Sequence, residues 1–156
     1  MRRIDSIVIH GSWTKPGVDI GVEEIRRWHT DPKEEGGRGW SDIGYHYVVR
    51  RDGTVEEGRP AEKQGAHVGG HNKYTLGICL VGGREDETPD TAGLPEEVKQ
   101  ELLWEFNYTE RQIRALVQLV TKLQLRHDVE EVLGHRDYPG VTKRCPGFDA
   151  ATFFRV

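Results

Sequence analysis

The residues best suited to chemistry fall in one late stretch, Gly134-His135-Arg136-Asp137-Tyr138-Pro139-Gly140-Val141-Thr142-Lys143-Arg144-Cys145-Pro146-Gly147-Phe148-Asp149. It holds a histidine, a lysine and a cysteine within eleven positions, His135 to Cys145, with proline and glycine setting the turns between them. Imidazole and thiolate are the preferred protein ligands of zinc, and lysine is the simplest fixed positive charge to place beside one. Two ligands do not make a zinc site, so a third must come from elsewhere. The best candidate is His10, which ends the apolar run Ile7-Val8-Ile9, the mark of a buried strand whose tip carries function. Three protein ligands and one open position describe a catalytic zinc rather than a structural one.

Positioning these residues is the task of the rest of the chain. Ile4 to Ile9 reads as a first strand. Val22, Ile25 and Trp28 recur at helical spacing behind Glu23 and Glu24, so a short amphipathic helix follows, with His29 at its end as a partner for the helix dipole. Tyr45 to Arg50 reads as a second strand, Asp52-Gly53 as a hairpin turn, and Thr54 to Glu57 as the return. Strand period puts Tyr45 and His46 on opposite faces, so only one of them can face a given metal, and the pattern leaves that choice open. Gly65-Ala66-His67-Val68-Gly69-Gly70-His71-Asn72 is a small-residue loop whose backbone can approach a ligand, or it is a plain connection to a strand over 75–81. Cys79 lies in that apolar strand and reads as a small buried hydrophobe.

Arg84 to Asn107 is acidic and turn-rich, with Pro95 opening a helix that has a short stripe at Val98 and Leu102. Thr109 and Gln112 form a capping box for the clearest helix, whose stripe is Ile113, Leu116, Val117, Val120 and Leu123. Val129 to Leu133 is a short strand that delivers His135, and Phe148 to Phe154 closes with a short aromatic helix or turn. The order of elements predicts one α/β domain over residues 1–156, a central mixed sheet covered by helices, with His10 and His135 at strand ends.

Composition narrows the function classes. Of 156 residues, 35% are hydrophobic and 31% charged, which fits a soluble globular chain. A net charge of −4 argues against a nucleic-acid binder. No apolar run is long enough to span a bilayer, and only three apolar residues lie between Ser6 and His10, against about 7–15 in an export leader. Synthesis in a cytoplasm, as a monomer with no membrane partner, is the expectation. Two cysteines give no disulfide framework.

Six motifs together carry a resemblance. Ile9-His10-Gly11-Ser12, Gly44-Tyr45-His46-Tyr47, Arg51-Asp52-Gly53-Thr54, Gly65-Ala66-His67, Gly77-Ile78-Cys79-Leu80-Val81-Gly82-Gly83 and Lys143-x-Cys145-Pro146-x-Phe148-Asp149 stand in order and register. The chain resembles the type-2 N-acetylmuramoyl-L-alanine amidases from about Ile4 to Phe154, and more distantly the peptidoglycan recognition proteins. The resemblance implies one zinc per chain on His10, His135 and Cys145, catalytic roles for Tyr45 and Lys143, and a substrate groove touched by His67 and Asn72. It implies peptidoglycan as partner and hydrolysis of the amide between N-acetylmuramic acid and L-alanine, by a phage or prophage endolysin made in the host cytoplasm and acting on the wall after release. Residues 84–107 look longer than the matching family segment.

Two other readings belong to different classes. A wall-recognition module would use a structural zinc closed by His46, His67 or His71. A regulator of a phage RNA polymerase is implied only because a phage member of the family also has that role. A glycosidase would need two converging carboxylates, and Asp42, Asp52 and Asp137 sit in no pattern that demands it.

Overall fold

The computed structural model describes residues 2–84, 93–98 and 108–155. Its strands are β1 (Ser6–Gly11), β2 (Tyr47–Val49), β3 (Val55–Glu57), β4 (Thr75–Leu80) and β5 (Glu131–Gly134), joined in one sheet of order β3-β2-β4-β1-β5. β1 runs parallel to both β4 and β5, β2 runs parallel to β4, and only the β2–β3 hairpin is antiparallel. The sheet is therefore mixed, as expected. β2 is shorter than the sequence suggests, because Tyr45 and His46 precede the ladder, although His46 N–H still donates to Gly77 O at 2.9 Å.

The two faces of the sheet have different fillings, and strand period decides which residue goes where. Ile7, Ile9, Leu76, Ile78, Leu80, Tyr47 and Val49 point to one side, where they form the main core with helix α2 (Glu110–His127). That helix starts as its capping box requires: Thr109 accepts from Gln112 N–H at 3.1 Å, and the Gln112 side chain accepts from Thr109 N–H at 2.9 Å. The Gln112 amide also donates to Val49 O and Val81 O, which ties the start of α2 to β2 and to the residue after β4. Its buried apolar stripe is Leu116, Leu119, Val120 and Leu123. Val117, expected in the stripe, is exposed, because a turn of 3.6 residues carries the buried face through Leu119 instead.

The opposite face carries Val8, His10, Thr75, Gly77, Cys79 and Val48. Helix α1 (Val22–Thr30) covers part of it, with Val22 and Ile25 packing beside Ile43, Val48, Cys79 and Val81. The rest of this face is floored by small residues and is not filled by aliphatic side chains. Residues 96–98 are helical directly after Pro95, and Val98 is exposed. The expected partner Leu102 lies outside the described residues. A short helix α3 (Ala150–Phe153), capped by Asp149 accepting from Thr152 N–H, closes the chain. Among the described residues, no helix is long and apolar enough to cross a membrane.

Candidate active site

The open face holds a cleft of about 470 Å³, whose lining includes His10, Tyr45, His67, His135, Lys143 and Cys145. His10 is the fifth residue of the six-residue strand β1, directed to this face by strand alternation and paired in register with Cys79. His135 follows β5 directly, in a single 3-10 turn whose Gly134 N–H is held by the Asp137 carboxylate at 2.8 Å. Cys145 arrives from a loop that turns back on this segment, with Arg136 N–H donating to Cys145 O at 2.8 Å. The donor atoms of His10, His135 and Cys145 all lie within 4.8 Å of one another. Two of these, Cys145 Sγ and His10 Nδ1, are 4.0 Å apart.

Burial sets the electrostatics here. His10 is 1% exposed and its pKa is held well below the ordinary value by desolvation, then by His67 and His135. The Cys145 thiol is pushed up to about 11 by burial, against the pull of the Gly11 N–H and the Lys143 ammonium. That N–H lies 3.3 Å from Cys145 Sγ. Burial, then Lys143, lowers the His135 pKa. The Tyr45 hydroxyl is raised well above its usual value by burial first, then by Cys79 and Cys145, so it stays protonated. Its ring lies 5.1 Å from that of His10.

The structure thus brings together His10, His135, Cys145, Tyr45 and Lys143, five residues spread over three distant parts of the chain. His46 lies behind the sheet edge and not in the cleft: Gly77 N–H donates to its Nδ1 at 3.0 Å, so its Nε2–H faces Lys63 O at 2.8 Å. His67 lines the cleft, but its nitrogens face inward, Nδ1 to His10 Nε2 at 2.8 Å and Nε2 to Thr75 Oγ1 at 3.2 Å. Asn72, expected beside the groove, does not line the cleft. Its Oδ1 accepts from both His67 N–H and Val68 N–H at 2.9 Å, which fixes the loop that carries His67.

Two contributors were not legible in the sequence. His29, expected only to meet a helix dipole, is 7% exposed and forms part of the cleft wall between Trp40 and Tyr45. Gly44 N–H donates to its Nδ1 at 2.9 Å, and burial, then Arg38 and Arg59, lowers its pKa to about 4. It is a neutral ring with its proton on Nε2. Tyr108, 3% exposed, donates from its hydroxyl to Pro146 O at 2.5 Å and so holds the cysteine loop from beneath. Helical spacing of aromatic and acidic residues was a faint signal for the first; no local signal marked the second.

Comparison with known proteins gives a consistent result. The family model described as N-acetylmuramoyl-L-alanine amidase matches residues 1–148. The chain is 40% identical over 143 residues to an endolysin of Klebsiella phage KP32, covering 92% of this chain and 80% of that protein. It is 35% identical over 145 residues to an endolysin of Escherichia phage T7, covering 93% of this chain and 82% of that protein. Among solved structures, the N-acetylmuramoyl-L-alanine amidase LysC from Clostridium intestinale superposes with a TM-score of 0.68 at 24% identity, over 97% of this chain and 81% of that one. Bumblebee PGRP-SA gives a TM-score of 0.69 at 22% identity, over 98% and 81%. At such identities the two structures speak for the fold alone.

Proposed function

Since this chain belongs to the N-acetylmuramoyl-L-alanine amidase family, we propose that it is a zinc-dependent endolysin that hydrolyses the amide between the lactyl group of N-acetylmuramic acid and L-alanine. The observation that carries this reading is the meeting of two imidazoles and one thiol, donor atoms within 4.8 Å, on the floor of an open cleft. The donor set fits zinc: nitrogen and sulfur ligands without a carboxylate suit this ion better than magnesium or calcium. The buried, uncharged His10 leaves its Nδ1 facing Cys145 rather than solvent. His10, His135 and Cys145 would hold the ion, and the side of the cluster facing the cleft is where substrate would enter.

When bound, zinc supplies a Lewis acid that lowers the pKa of water to roughly 7 and polarises a carbonyl. The chain's own residues supply the rest. Tyr45, protonated and lining the cleft beside His10, would donate a hydrogen bond that orients the attacking water or relays its proton. Lys143, exposed at the rim and two residues before Cys145, places an ammonium where negative charge grows on the carbonyl oxygen. Trp13, Trp40 and Arg38 line the same cleft and offer flat and cationic surface to the glycan and stem peptide.

The test is made on purified peptidoglycan. The protein should carry one zinc per chain, release peptides with a free L-alanine amine, and leave the glycan uncut by mass spectrometry. Chelation should stop release and added zinc restore it. Reducing sugar ends appearing with activity, or full activity after complete metal removal, would overturn the proposal.

A further inference from the structure

His10 must present an unprotonated Nδ1 to act as a ligand, yet a neutral imidazole exists in two tautomers. Its other nitrogen, Nε2, is 2.8 Å from His67 Nδ1. His67 Nε2 is 3.2 Å from Thr75 Oγ1, and the Thr75 hydroxyl donates to His71 O at 3.0 Å. All three side chains are buried, at 1%, 8% and 5% exposure for His10, His67 and Thr75. Only two proton orders satisfy such a chain of neutral rings. In one, Thr75 donates to His67, His67 to His10, and the His10 proton sits on Nδ1, where a metal would have to be. In the other, Thr75 gives its single proton to the carbonyl and must accept from His67. His67 then carries its proton on Nε2, accepts at Nδ1 from His10 Nε2–H, and leaves the His10 Nδ1 lone pair facing Cys145.

The carbonyl decides between them, since His71 O can only accept. We infer that Thr75 is a positioning residue that sets, through His67, the tautomer in which His10 can bind metal; this rests on the zinc reading of His10. The assignment also accounts for the packing of His67. A Cβ on Gly77 would lie 2.6 Å from His67 Cγ, and a Cβ on Gly65 would lie 2.8 Å from its Cδ2. The ring is closely caged with both nitrogens engaged, as suits a fixed hydrogen-bond link.

Thr75→Val keeps the shape and removes the hydroxyl, leaving a His67 Nε2–H without an acceptor. That favours the other His67 tautomer and drives the His10 proton towards Nδ1. Zinc affinity of the whole protein, measured by competition with a chromophoric chelator, should fall about 10–100-fold in Thr75→Val. Thr75→Ser, which restores the hydroxyl, should return it to within about threefold of the parent. Ring nitrogen NMR on the zinc-loaded parent should show the His67 proton on Nε2. A His67 proton on Nδ1, or a folded Thr75→Val protein with parental zinc affinity, overturns the inference while leaving the zinc reading standing. A parent that binds no zinc overturns both.

Discussion

Adjacent residues Tyr45 and His46 show how sharply side-chain role depends on direction. Tyr45 lines the cleft, while the His46 ring is 1% exposed and joined to Gly77 N–H and Lys63 O. Tyr45→Phe deletes one oxygen and leaves the packing of the ring intact. Turnover on soluble muropeptide should fall about 100-fold with zinc content and melting temperature at parental values. Parental turnover in that variant would remove Tyr45 from the reaction. His46→Ala should behave in the opposite way, leaving a donor and an acceptor unpaired beside a cavity. A stability loss of about 2–4 kcal/mol by urea titration is expected, with kcat of the folded fraction near the parent. A stable but inactive His46→Ala protein would mean that the ring serves the chemistry directly.

At the scale of elements, three segments converge: the end of β1, the turn after β5 and the cysteine loop. Their contact is close, because a Cβ on Gly11 would stand 2.5 Å from the Tyr108 hydroxyl, the group that supports Pro146 O. Gly11→Ala should therefore displace Tyr108 and the loop with it, weakening zinc binding by about tenfold or more, while Ala at exposed Gly69, with open space around it, should not. Equal zinc affinity in the two variants would show that the loop is held by other contacts. The same convergence explains what could be read from sequence. β1, the hairpin, α2 with its Thr109–Gln112 box and the delivery of His135 by β5 all follow from local period and turn chemistry. Residue type and spacing single out His10, His135 and Cys145, the motif resemblance implies the same three, and the structure draws them together. His29, Tyr108 and the His67–His10 bond depend on partners 15 to 57 residues away, Gly44, Pro146 and His10, and no local pattern encodes those. Asn72, expected at the groove, spends its side-chain oxygen on folding its own loop.

For the molecule as a whole, buried neutral histidines couple stability to pH. His29 and His46 titrate at about 4 in the fold, chiefly through burial, against 6.5 for a free imidazole. Between these values the unfolded chain binds more protons than the folded one, so stability is fully present above about 6.5 and is lost as pH falls towards 4. Each ring's roughly 3 kcal/mol is gone at the acid limit. Calorimetry from pH 7 to 4.5 should show a fall of at least about 5 °C in Tm, and His46→Gln should flatten that slope. A Tm that is level across this range would mean that both rings gain protons without cost in the fold. Gly77 has a consequence of another kind. It sits inside β4, the central strand, where a branched residue would ordinarily strengthen the sheet. Here that space is taken by the His67 ring. Hardening this enzyme against heat by the usual route of filling out its middle strand would thus evict the imidazole that steadies His10. Robustness has to be sought elsewhere, at the aliphatic positions of the α2 side of the sheet that lie apart from Gln112 and Tyr108.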